Sequence, residues 1–93
     1  MSAAEALGWG LVDELVEPAG LRARVQAYGE TLANKSPAAL AAIRRTVTLG
    51  GGMTFEDGMA LELETVVELA GTPDFAEGVD AFLTKRRPKW KTS

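Results

Sequence analysis

Ninety-three residues suit one small unit that buries only about 60–65% of its unfolded surface, so part of any stability must come from outside the chain. With no His and no Cys, Ser-His-Asp and Cys-His catalysis, ordinary zinc sites and disulfides are excluded, which leaves thirteen carboxylates as the available acids, bases or hard-cation ligands. The net charge of −3 hides an uneven distribution: residues 46–84 hold eight of the acids and no Lys or Arg, whereas Lys85, Arg86, Arg87, Lys89 and Lys91 crowd half of the bases into seven positions.

In chain order, Ala3 to Trp9 reads as a short helix punctuated by Gly8 and Gly10. Leu11 to Val16 suits a short extended segment, closed by Pro18 and Gly20. From Leu21, apolar residues at Leu21, Val25, Tyr28 and Leu32 fall on one helical face and predict a second helix. Ser36-Pro37 starts a third, whose stripe is Leu40, Ile43 and Val47 and whose stop is Gly50-Gly51-Gly52. Thr54 caps a fourth, with Glu56 and Asp57 at the positive end of its dipole and Met59, Leu63, Val66 and Ala70 as its inner face. Gly71-Thr72-Pro73 breaks that helix. Asp74 with Glu77 then predicts a capping box for a last helix reaching Pro88, with Thr72-Pro73 as an alternative start. The fold class expected is all-α, a short helix-strand lead-in followed by about four helices, as a single helical domain over 1–93.

No stretch of about 18 apolar residues occurs, so no membrane span is expected, and with no basic-flanked secretory run the expected location is cytoplasmic. Gly8-Trp9-Gly10 lacks the third glycine of a dinucleotide fingerprint, because Asp13 stands there, and no strand precedes it. Gly50-Gly51-Gly52 lacks the Lys-Ser/Thr of a phosphate loop and is better explained as a helix stop. Glu64 and Glu68 share a helix face and Glu62 points elsewhere; a solvated acidic face explains them better than paired acid/base catalysis. Trp9 and Trp90 read as packing groups. The basic tail suits a solvated helix end, and no nucleic acid is expected to bind it. Phe82 and Lys85, three apart, would share a face of the last helix and could stack a purine and meet phosphate.

Three blocks carry a resemblance: Ala4 to Val16 (AEALGWGLVDELV), Ser36-Pro37-Ala38-Ala39, and Asp74 to Trp90 (DFAEGVDAFLTKRRPKW). In this order they resemble the C-terminal helical region of the enoyl-CoA hydratase/isomerase (crotonase) family, along nearly the whole chain. The resemblance implies a helical part that packs on a spiral of β-β-α turns and on neighbouring subunits. In the family, two backbone N–H groups of the spiral form an oxyanion hole for an acyl-CoA enolate, and in hydratases two glutamates handle water and proton. Those groups lie upstream of the matching blocks, so no catalytic role transfers to any residue here.

Phe82 and Lys85 match positions that, in relatives, line the adenine end of the CoA site, often that of an adjoining subunit. The resemblance also implies acyl-CoA thioesters of fatty-acid metabolism as substrates, no separate cofactor, and self-association as a trimer or hexamer. Met1 stands where relatives are usually internal, and reads as an internal start or a fragment boundary. A non-catalytic helical interaction module is the competing expectation.

Overall fold

The computed structural model describes residues 1–91, and their packing divides the chain into two units, residues 1–32 and 33–93. Each is taken by itself.

In the first unit, α1 (Ala3–Gly8) begins in a capping box: the Ser2 hydroxyl accepts from Glu5 N–H while the Glu5 carboxylate accepts from Ser2 N–H. It ends in a Schellman turn, in which Leu11 N–H donates to Ala6 C=O at 2.9 Å and Gly10 N–H to Leu7 C=O at 3.1 Å. That turn needs a left-handed residue, and Gly10 supplies it at φ 76° without the Cβ clash a side chain would bring. Residues 11–17 then run without helix, and no strand forms among the described residues, so Leu11 to Val16 finds no ladder partner. A 3₁₀ turn over Pro18–Gly20 leads into α2 (Leu21–Ala33). Arg24 pairs with Glu14 and lies 5.9 Å above the Tyr28 ring, tying the irregular stretch to the helix.

The second unit holds α3 (Pro37–Gly50), α4 (Phe55–Ala70) and α5 (Pro73–Leu83). Each start follows from a hydroxyl cap: Ser36 accepts from Ala39 N–H, Thr54 from Asp57 N–H and Thr72 from Phe75 N–H. Gly51 to Met53 reverse the chain so that α4 returns along α3 as a helical hairpin, with Arg45 and Glu68 3.7 Å apart across it. Small residues let the two helices approach: their seam is lined by Ala38, Ala41, Ala42, Thr65 and Leu69.

The face that α4 buries is not the face its apolar periodicity suggests. Leu61 and Thr65 are buried, whereas Met59, Leu63 and Val66 are 50%, 67% and 61% exposed. Ile43 and Val47 on α3 are exposed as well. The two helices meet through half-buried small residues such as Ala38, Ala39 and Ala42, while the larger apolar side chains stay exposed. Among the described residues of this unit the buried apolar side chains are only Leu61 and Ala81, so it leaves a broad apolar surface exposed.

Two further differences concern α5. Thr72 is its cap and Pro73 its first residue, so the alternative start is the one adopted, and Asp74 sits one position inside the helix. The helix also stops at Leu83, before the basic run. Lys85 has φ 54°, and Arg86 N–H donates to Ala81 C=O at 3.0 Å while Lys85 N–H donates to Phe82 C=O at 3.3 Å. This is again a Schellman turn, here with lysine at the left-handed position.

Candidate functional site

The hydrogen bonds between residues far apart in sequence concentrate on the surface of α5 and the strap of residues 84–91 that returns along it. Asp74 lies 2% exposed near the start of α5, where the helix dipole favours a carboxylate. It accepts the Ser36 hydroxyl at 2.7 Å and the Lys91 backbone N–H at 2.6 Å. Ser36 thus serves two helices at once: its oxygen caps α3 while its proton goes to Asp74. One turn further, Glu77 accepts both arms of the Arg86 guanidinium, at 2.7 and 3.0 Å, and Lys89 N–H at 2.6 Å. Arg86 also donates to Asp80.

This set of donors, the Arg86 fork first and the Lys89 N–H second, holds the Glu77 carboxyl down at about 2. The same carboxylates raise the Arg86 guanidinium further above its ordinary range. In the first unit Arg24 likewise lowers Glu14 by a hydrogen bond.

Trp90 closes the strap. Its ring lies where a Cβ on Gly78 would meet it at 3.4 Å, and its indole N–H donates to the Asn34 carbonyl at 2.9 Å. Trp90 is therefore the packing group expected, while Trp9 is 69% exposed. Beside the strap runs a groove of about 360 Å³ lined by Phe75, Val79, Phe82, Leu83 and Trp90, with Ser36 and Asp74 at one wall.

Phe82, in the last turn of α5, is 82% exposed, and Lys85 follows three residues later. They are not neighbours on one helix face, because the chain leaves the helix between them and turns left-handed at Lys85. The two nonetheless remain close along the chain at one end of α5, and Lys85 has no ion pair among the described residues. Glu62, Glu64 and Glu68 are exposed on α4, and Glu68 faces Arg45. Gly51 caps α3 and Gly10 caps α1, as helix-stopping glycines do. Among the described residues no three carboxylates converge to hold a metal ion, and no helix is long and apolar enough to cross a membrane.

Sequence reasoning missed Asp74's burial, the Glu77–Arg86–Asp80 cluster and the Asn34–Trp90 bond. Arg86 lies nine residues from Glu77, a spacing with no meaning in a helix, and Asn34 lies 56 from Trp90.

The family model described as enoyl-CoA hydratase/isomerase matches residues 1–93. The chain belongs to the enoyl-CoA hydratase/isomerase family. Among its relatives is a protein named (E)-benzylidenesuccinyl-CoA hydratase from Thauera aromatica, 34% identical over 98% of this chain and 36% of its own length. Another is a carnitinyl-CoA dehydratase from Salmonella typhi, 33% identical over the same shares. The crystal structure of an enoyl-CoA hydratase/isomerase from Mycobacterium paratuberculosis superposes with a TM-score of 0.93 at 29% identity, covering all of this chain and 37% of that one. The all-α reading and the family resemblance are both borne out: the chain has the fold of a helical piece of this family and spans a little over a third of the relatives it matches.

Proposed function

We propose that this chain serves an enzyme acting on acyl-CoA thioesters, in which it supplies subunit contacts and one wall of the site for the adenine end of CoA. The observation that carries the reading is the family match over all 93 residues, together with an exposed aromatic ring and an unpaired cation at one end of α5. Phe82 would stack on adenine, and Lys85 would meet a phosphate of the nucleotide end. The CoA thioester is the substrate, and no separate cofactor is invoked.

Acid/base chemistry is assigned to the spiral part of the family fold, and the two carboxylates most tightly held here are engaged otherwise: Glu77 with Arg86, and Asp74 with Ser36 and the strap. Large apolar residues on the outer faces of α3 and α4 support association with further protein, as a trimer or hexamer. Neither nucleic acid nor membrane is part of the reading.

The test is titration of coenzyme A into the full chain and its Phe82→Ala and Lys85→Ala variants by calorimetry, with light scattering on the same samples. The expected result is an assembly larger than one chain and a loss of affinity of about three- to tenfold in each variant. Unchanged affinity in both variants would sink the assignment of these residues. A monomer that ignores CoA would favour the non-catalytic interaction module instead.

A further inference from the structure

Lys85 is the only non-glycine residue with positive φ among the described residues, and a side chain disfavours that conformation. Such a conformation persists where its surroundings over-determine it. Here the surroundings are the rest of the strap, from Arg86 onward. Arg86 reaches back to both oxygens of Glu77 and to Asp80. Lys89 N–H joins Glu77, Trp90 lies against Gly78 and Lys91 N–H reaches Asp74. The turn at Lys85 is the hinge of this reversal, and Arg86 is the stitch nearest to it. Side-chain exposure of 10% for Glu77 and 39% for Arg86 shows the pair settled against α5 rather than waving in solvent.

We infer that Arg86, by its fork onto Glu77 and Asp80, is a positioning residue that holds Lys85 in the left-handed conformation and so fixes where the Lys85 side chain leaves the backbone relative to Phe82. With its donors engaged by two carboxylates, Arg86 is committed to the fold, whereas Lys85 beside it makes no ion pair among the described residues. The consequence for CoA rests on the reading of Phe82 and Lys85 proposed above; the consequence for the turn does not.

The experiment measures amide exchange at residues 85 and 86, whose N–H groups make the two turn bonds, alongside CoA affinity in the full chain. Arg86→Gln is expected to lower protection at both amides on the order of tenfold while the interior of α5 keeps its own. Its CoA affinity is expected to fall as far as that of Lys85→Ala, and the double variant no further. In a Lys85→Gly background, where the left-handed conformation carries no penalty, Arg86→Gln is expected to leave the turn protected. Loss of protection in that background would overturn the inference, since Arg86 would then be a general staple of the strap. Parental protection in Arg86→Gln alone would overturn it as well.

If Arg86→Gln does not fold, Asp80→Asn, at an exposed position, removes one leg of the fork and is expected to give a smaller loss at the same amides; no loss there would count against the assignment. Unchanged CoA affinity in Lys85→Ala would instead refute the CoA reading, with the exchange data still deciding the clasp.

Discussion

Helices α1 and α5 close with the same pair of backbone bonds, yet one places Gly10 and the other Lys85 at the left-handed position. Glycine makes the turn with no steric penalty, whereas lysine carries about 1–2 kcal/mol of backbone strain. The difference follows what comes next. After Gly10 the chain enters the irregular stretch of residues 11–17, with no return along α1. After Lys85 it doubles back and meets Glu77, Gly78 and Asp74 in succession. A turn with no later contacts must be favourable by itself; a turn backed by a strap can tolerate a side chain, and so can display one.

The comparison breaks most severely at Asp74. Replacing it with alanine removes the acceptor for a buried hydroxyl and for the Lys91 N–H, and is expected to cost about 3 kcal/mol in urea unfolding. The strap should then lose protection while the cap of α1 keeps its own.

Exchanging the two capping residues sharpens the contrast. Gly10→Lys is expected to destabilise by about 1–2 kcal/mol, a local backbone effect, because beyond the adjoining residues no atom lies within 4 Å of the new Cβ. Lys85→Gly is expected to gain up to about 1 kcal/mol, offset in part by the freer unfolded chain, while losing the displayed cation. Equal and opposite shifts in thermal unfolding would show the two turns to be interchangeable.

Acid separates the units in a graded way. Glu77, whose folded-state value of about 2 lies below its ordinary 4.5, contributes stability that is fully present above pH 4.5 and fades as pH falls toward 2. Exchange at the Lys89 amide should therefore quicken across that window, and the Gly10 turn, which includes no carboxylate in its two bonds, should not follow it.

The smallest effect is expected at Gly78→Ala. Its Cβ would just touch the Trp90 ring at 3.4 Å, so helix propensity should dominate and add about 0.5–1 kcal/mol to the melting stability. A larger residue there would instead lift Trp90 from α5, read as a change in tryptophan fluorescence.

Much of this chain was legible before any coordinates. Ser36-Pro37 and Thr54 announce the starts of α3 and α4, Thr72-Pro73 stands as the alternative start that α5 adopts over the Asp74-Glu77 box, and Gly50-Gly51-Gly52 and Gly71 mark boundaries, because a hydroxyl cap, a proline or a glycine acts on backbone groups within four residues. The three sequence blocks likewise place the chain in its family, and Phe82 and Lys85 stand out both by their spacing and by that resemblance. Which face of α4 is buried was not legible, because periodicity marks an apolar stripe and not its partner, and the positions that end up buried are Leu61 and Thr65. Nor was the end of α5: the basic run looks like a dipole-matched last turn, yet the helix stops before it and Arg86 returns to Glu77. The sequence by itself determined the helices, since their signals are local. Only the tertiary structure decided that Asp74 is a buried junction and Lys85 a left-handed hinge, since both depend on contacts made after the chain has reversed.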